Sequence, residues 1–319
     1  MTATKKPDLI IIGQVTIDDV VPAAPAPWRR QMGGSSLYAV AGARLWLEPS
    51  RVGLLARRGR DYPFDAEDML RSAGLRHIAL PTFAGEHLVE WLIYEPDGSR
   101  RSLPRNPSLL DVGAEGTLSQ EAYQHKLLDI APSATEVPAA WLPTQAVHLC
   151  PQVGTRHRDS VQLLRGAAQW ISVDPSPHYS RSMSVPELAA YVRGSSAFLP
   201  SAQEVRPLLD GREPQDVVRA LHRAGFPEVV LKRAEKPLVL AYGDTVQYVP
   251  TVPTSIVDPT GAGDSFCGAY AACRLLGHEP AAAALRAAAT AALIVGCSGV
   301  EAALRLTASS FNLGAPGEV

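Results

Sequence analysis

The sequence has no run of eighteen apolar residues, no C-x-x-C pair and almost no net charge, and each absence removes a class of protein. The small-residue stretch from Ala281 to Gly296 is broken by Arg286, so a bilayer span, which needs about 20 consecutive apolar residues, is excluded. The four cysteines, Cys150, Cys267, Cys273 and Cys297, have no nearby histidine pairs. Neither a zinc site nor a disulfide framework is implied, and they read as small buried hydrophobes. A formal net charge of -2 is far from the basic balance of nucleic-acid binding, so neither a nucleic-acid partner nor a membrane is expected. At the N-terminus two lysines precede only a short apolar run, too short for a signal-peptide core. That run reads as a first strand, and a cytoplasmic location is the expectation.

What is present is an ordinary globular composition, 46% hydrophobic and 19% charged over 319 residues, enough to bury a sizeable core. Short apolar runs ending in Gly, Asp or Pro (DLIIIG, RVGLLAR, AVHLCP, WISVDP, SAFLPS, EVVLKR, PLVLAYG) alternate with helical patterns. That alternation predicts an α/β fold, a mostly parallel sheet with helices on both faces. Its strands are buried on both sides and therefore read as unbroken apolar runs. Two segments depart from the rhythm. EHLVEWLIYEPDGSRRSLPR carries an Asp97-Gly98 turn and reads as a β-hairpin. Asp19 to Met32, rich in proline and alanine, precedes Gly33-Gly34, and together the two are expected to form a small β lid.

One string raises a chemical question. DPTGAGDSFCGAY, Asp258 to Tyr270, opens a helix of small residues on a glycine turn. The N–H groups of Gly261, Ala262 and Gly263 would there face an anion, helped by the positive end of the helix dipole. Asp264 places a carboxylate in the same mouth. It either caps the helix as an ordinary first-turn acid or performs chemistry that outweighs its repulsion of the anion.

D-x-T-G-A-G-D-[ST]-F before a small-residue helix resembles the C-terminal signature of the ribokinase-like family of carbohydrate and nucleoside kinases. IIGQVTIDDV resembles that family's first strand, whose aspartate grips substrate hydroxyls; Asp18 holds that position. GGSSLYAVAGARLWL resembles the paired-glycine element that lies against the acceptor at Gly33 and Gly34. The resemblance implies a three-layer α/β/α Rossmann-like ribokinase fold, one kinase domain over residues 1–319, with lid segments at about 15–34 and 84–106. It also implies ATP and Mg²⁺, with Asp264 as the base that deprotonates the acceptor hydroxyl.

Other positions match in part. FLPSAQEV resembles the family's Asn-x-x-Glu element, whose glutamate supports Mg²⁺ through water. Glu204 fits, with Ser201 in place of the asparagine. VVLKRAEKPLVLAYG resembles the Val-Lys-x-Gly-x-x-Gly loop beside the nucleotide, with Ala234 and Pro237 at the glycine positions. Lys232, Arg233 and Thr260 are the cofactor-binding candidates, and Asp258 the candidate at a K⁺ site. Where sugar kinases of the family carry an asparagine, four residues after the second glycine, stands Tyr38. It reads either as an acceptor contact with a flat ring or as a packed core residue. Asp174 ends an apolar strand, as acids do in many α/β folds.

The expected function is ATP-dependent phosphorylation of a hydroxyl on a small polyhydroxy acceptor (sugar, cyclitol or nucleoside), with a homodimer through the lid. The alternative is a ligand-binding or regulatory protein of weak or no activity on the kinase fold, suggested by the departures at Tyr38, Ser201, Ala234 and Pro237. A dinucleotide-dependent oxidoreductase ranks last, because no acid follows the glycine turn by about 20 residues in a next strand.

Overall fold

The computed structural model describes residues 6–21, 29–94, 100–104 and 118–311. The strands are β1 (Leu9–Ile12), β2 (Thr16–Val21), β3 (Arg29–Gly33), β4 (Val52–Leu55), β5 (Arg58–Gly59), β6 (His77–Ala79), β7 (Thr82–Phe83) and β8 (Val89–Tyr94). They continue as β9 (Arg100–Pro104), β10 (Thr144–Leu149), β11 (Ala168–Val173), β12 (Ala197–Phe198), β13 (Glu228–Leu231), β14 (Leu238–Tyr242) and β15 (Thr245–Val249).

Nine of these strands form the central sheet in the order β15-β14-β13-β12-β11-β10-β1-β4-β6. From β13 to β6 every pairing is parallel. The sheet ends on the other side in the antiparallel strands β14 and β15. Helices must cover both faces of such a sheet, because alternate residues of each strand point oppositely and both sets are largely apolar and buried in its central strands. In β1, Leu9 and Ile11 join one core cluster and Ile10 and Ile12 another, all fully buried. The first face is covered by the helices Ser35–Ala43, Ala262–Leu275, Pro280–Ile294 and Gly299–Arg305. The second is covered chiefly by Arg156–Leu164, Val185–Tyr191 and Pro214–Arg223. Of the expected strands, EVVLKR and PLVLAYG pair antiparallel rather than parallel, because only a short loop joins them and a parallel connection needs a crossover of a dozen residues or so.

A second sheet, β3-β2-β8-β9, makes the lid. Its two hairpin pairs, β2–β3 and β8–β9, join through a parallel β2–β8 pairing. The Asp97-Gly98 turn itself lies outside the described residues. Asp19 to Met32 is thus not irregular at its ends: Asp19 faces Arg30 across β2–β3. The fully buried carboxylate takes both Nε and Nη2 of Arg30 at 2.8 Å, a bidentate pair that fixes the strand register.

The lid is tied to the main body by His87. Its Nδ1 accepts from the Gly59 N–H at 2.9 Å, so the hydrogen lies on Nε2 and is donated to Val15 O at 3.0 Å. Val15 is the residue before β2, so one imidazole joins the root of the lid to the β5 turn. Burial holds this histidine down to about 4, neutral at pH 7.

Candidate active site

The site begins where two helices touch without side chains between them. A Cβ built on Gly42 would lie 2.0 Å from Ser265 O, and one on Gly268 would lie 1.9 Å from Ala39 O. Helices Ser35–Ala43 and Ala262–Leu275 therefore pack backbone to backbone, closer than any other residue type permits. The first starts at Gly33-Gly34 and the second at Gly261, so this seam fixes the acceptor-side glycines against the anion turn.

On the acceptor side, Asp18 is 3% exposed and accepts from Thr16 Oγ1 at 2.7 Å. Its carboxylate lies over Gly33, where a Cβ would meet Asp18 Oδ2 at 1.8 Å. Gly34, at φ 114, is the N-cap of its helix, and its open side is closed by the backbone of Gln14 and Val15. The sequence signals thus bring Asp18, Gly33 and Gly34 together. Tyr62, which the sequence did not single out, stands beside them. Burial, and after it the nearby Asp18 carboxylate, pushes its phenol above the usual range, so it stays a hydrogen-bond donor at neutral pH. Its buried hydroxyl has no hydrogen-bond partner among the described residues.

On the phosphate side, Gly261 caps its helix in the left-handed conformation, φ 78. The turn before it is held by Asp258, 4% exposed, whose Oδ1 accepts the Thr260 N–H at 2.9 Å. The Val257 and Asp258 N–H groups donate to Val295 O at 2.8 and 3.0 Å. The Ala262 N–H leans toward Pro259 O at 3.4 Å, so of the three expected donors Gly261 and Gly263 are the freer to meet an anion. Asp264 is half-buried in the first helical turn. Its charge reaches inward: burial, then Asp264, drives the buried Cys150 thiol well above its usual range.

Beneath this turn lies a charged cluster that sequence reading only grazed. Lys232 Nζ donates to both Asp174 oxygens at 2.8 Å and to Cys267 Sγ at 3.2 Å, and both members of the ion pair are buried. Burial alone would push Lys232 downward, but Asp174 reverses this and holds the ammonium well above its usual range. A Cβ on Gly263 would stand 3.5 Å from that ammonium, so the positive charge sits directly under the anion turn. Its donors are engaged by Asp174 and Cys267, so Lys232 lies beside the turn as a paired, buried ammonium.

Arg233 points elsewhere, half-exposed, donating to Pro237 O at 3.2 Å with its guanidinium 5.9 Å from the Tyr248 ring centroid. Ala234, in the position of a family glycine, has φ 53. The loop keeps the left-handed turn although the glycine is gone. Glu204 and Ser201 bond reciprocally: Glu204 Oε2 accepts the Ser201 N–H at 2.5 Å, and Ser201 Oγ accepts the Glu204 N–H at 3.3 Å. The serine thus orients the glutamate, and the Glu204 charge acts on both Lys232 and Asp174.

Tyr38 is 2% exposed, and its ring covers Gly261, where a Cβ would meet Cγ at 2.1 Å. Of the two readings of this residue, the packed one describes its position. Gln152, three residues past β10, was missed: it is 1% exposed, and neither end of its amide has a partner among the described residues. No pattern in the sequence marks it, since a glutamine after a strand is common in loops.

Residues 162–306 match the model of the pfkB family carbohydrate kinases, a stretch that holds Asp174, Glu204, Lys232 and the anion turn. The chain is 27% identical to the cytidine kinase of Thermococcus kodakarensis, over 83% of this chain and 87% of that one. It is 40% identical to the 2-dehydro-3-deoxygluconokinase of Escherichia coli over 27% of this chain and 29% of the other. Its fold is that of the fructokinase of Xylella fastidiosa solved with bound ATP, with TM-score 0.71, 18% identity and coverage of 95% and 96% of the two chains. Family match, relatives and fold agree with the glycine turn, the seam and the lid: residues 162–306 match the pfkB carbohydrate kinases, and the chain as a whole has the fold of solved ribokinase-family kinases.

Proposed function

We propose that the protein transfers the γ-phosphoryl group of ATP to a hydroxyl of a small polyhydroxy acceptor, a sugar or a nucleoside, with Asp264 as the base. The observation that carries this reading is the seam at Gly42 and Gly268, which holds Asp18 and Gly33-Gly34 in fixed relation to Gly261–Asp264. Asp18 accepts hydrogen bonds from acceptor hydroxyls, and the backbone at Gly33 and Gly34 lets the ring approach. Asp264 takes the proton as the acceptor oxygen bonds to the γ-phosphorus and the bond to ADP breaks. The hydroxyl becomes acidic only as the new P–O bond forms, so an ordinary carboxylate suffices.

The Gly261 and Gly263 N–H groups, the helix dipole and the Lys232 ammonium beneath them stabilise charge on the migrating group's oxygens. Because the lysine is balanced by Asp174, it adds field without adding a ligand. Thr260 and Arg233 are assigned to nucleotide binding, Arg233 from the loop that follows Lys232.

Among the described residues no group of three or more His, Cys, Asp or Glu side chains is placed to hold a metal alone. Mg²⁺ itself keeps most of its waters and binds chiefly through nucleotide phosphates. When bound it would neutralise phosphate charge, with Glu204 holding its water shell. Asp258 is the residue at which a K⁺ would be felt.

The test is ADP release with Mg-ATP and a panel that includes cytidine and 2-dehydro-3-deoxygluconate, run in K⁺ and in Na⁺. ADP formation that requires one acceptor supports the reading. Saturable acceptor binding without ADP above background would instead favour a binding protein on the kinase fold.

A further inference from the structure

We propose that Tyr38 is a positioning residue of phosphoryl transfer, whose ring, not its hydroxyl, holds the anion turn in its working shape. The inference rests on the kinase reading above and adds a part to it. Gly261 is the hinge of the turn: its φ of 78 sets where the following N–H groups point. A glycine in that conformation is held by its surroundings, since it visits many others at little cost. The surroundings are the Tyr38 ring. A Cβ on Gly261 would fall 2.1 Å from Cγ and Cδ1 and 2.6 Å from Cδ2, so the flat face lies directly on the glycine Cα.

The ring cannot withdraw on its own. Tyr38 lies one turn into the helix that begins after Gly34, with its N–H directed at Gly34 O at 3.5 Å. That helix is locked to the anion-turn helix at Gly42 and Gly268. Tyr38 is buried with Leu37, Val40 and Ala41 in the same core cluster. Acceptor-side backbone, ring and anion turn are therefore one rigid unit. Acceptor seated on Gly33-Gly34 is held at a fixed distance from the turn that grips the phosphoryl group. A hydrogen-bonding side chain at position 38 could read the acceptor directly. The ring instead gives its surface to the turn.

Loss of the flat face frees Gly261, and misplacement of about 1 Å in such a site costs on the order of 100-fold in rate. The test compares Tyr38→Phe, Tyr38→Leu and Tyr38→Met, each checked for folding by thermal melting. Two quantities are read: kcat and KM with the acceptor found by the panel, and the affinities of Mg-AMP-PNP and Mg-ADP by calorimetry, which need no acceptor. The phenylalanine restores wild-type kcat and acceptor KM. Folded leucine or methionine variants lose about 10- to 100-fold in kcat and lose AMP-PNP affinity more than ADP affinity. A folded leucine or methionine variant with wild-type kcat and an unchanged AMP-PNP to ADP ratio overturns the inference alone. So does a phenylalanine variant whose acceptor KM rises tenfold or more with kcat unchanged, since that would put the hydroxyl on the acceptor. A wild-type protein that binds neither nucleotide sinks the kinase reading itself.

Discussion

Lys232 and Asp174 show what a single residue contributes when its partner lies far along the chain. Both are buried and joined at 2.8 Å, so removing the cation leaves a carboxylate in a medium that cannot solvate it. Lys232→Met is expected to destabilise the protein by about 3–5 kcal/mol, and Lys232→Met combined with Asp174→Leu to recover most of that loss. Urea denaturation of the three proteins checks this, and an additive double variant would contradict it. Ala234 carries the opposite kind of cost. Its φ of 53 is strained for any residue with a Cβ, by about 1–2 kcal/mol. Ala234→Gly is expected to raise stability by a few tenths to about 1 kcal/mol, less than the strain because glycine has more freedom to lose on folding. A lower denaturation midpoint would show that the left-handed turn is not the native one. These two cases also mark what the residues revealed in advance. Asp18, Gly33 and Gly261 were legible because their neighbours in the chain shape their role. Asp174, Tyr62 and Gln152 were not, because what defines them is burial among residues that approach only after folding.

At the scale of elements, the informative contact is the one without side chains. In an exposed helix, replacing glycine by alanine stabilises by about 1 kcal/mol. At Gly42 the new methyl would meet Ser265 O at 2.0 Å and at Gly268 it would meet Ala39 O at 1.9 Å, both backbone atoms that cannot swing away. Gly42→Ala and Gly268→Ala are therefore expected to reverse the sign, destabilising by about 1–3 kcal/mol through overpacking. If, as proposed, the acceptor binds at Gly33-Gly34, the seam sets its distance from the glycine turn, and each should also lower kcat by more than it changes the nucleotide KM. Chemical denaturation and steady-state rates test both halves. A stabilised variant with wild-type kcat would mean the helices are not in contact there. The parallel strands of the sheet were readable as apolar runs, since burial on both faces leaves that signature. β6 and β15 were not, being short or half-exposed edge strands. The lid was foreseen as a hairpin plus an irregular stretch. Its central β2–β8 pairing joins segments about seventy residues apart, and no local pattern announces such a pairing.

At the scale of the whole molecule, the interior keeps several imidazoles neutral. Burial lowers His87 to about 4, His148 to about 3 and His157 to about 4. Each is held by hydrogen bonds: His148 Nδ1 to Ser172 Oγ at 2.9 Å, and His157 to Tyr179 Oη and Cys150 O, both at 2.7 Å. An unfolded histidine takes up its proton near pH 6.5, whereas these resist until about pH 4 or lower. Stability contributed by the three is thus fully present above pH 6.5 and lost as pH falls from 6.5 toward 4. Between pH 7.5 and 5.5 each contributes a loss on the order of 1 kcal/mol. NMR titration of the imidazoles in the folded protein checks the lowered values directly, and His87, His148 or His157 taking up its proton near pH 6.5 would contradict them.

The decisive experiment falls on Asp264, the half-buried carboxylate in the first turn of the helix that Gly261 caps. Once the acceptor panel has found a substrate, initial rates of ADP formation are measured for the wild type and for Asp264→Asn, with thermal melting as the check on folding. The asparagine keeps the size and packing of the side chain but cannot take the proton. A folded variant with a nearly unchanged KM for ATP and a kcat lower by about 100- to 10,000-fold is the predicted result. A folded variant retaining a third or more of the wild-type kcat would contradict the account.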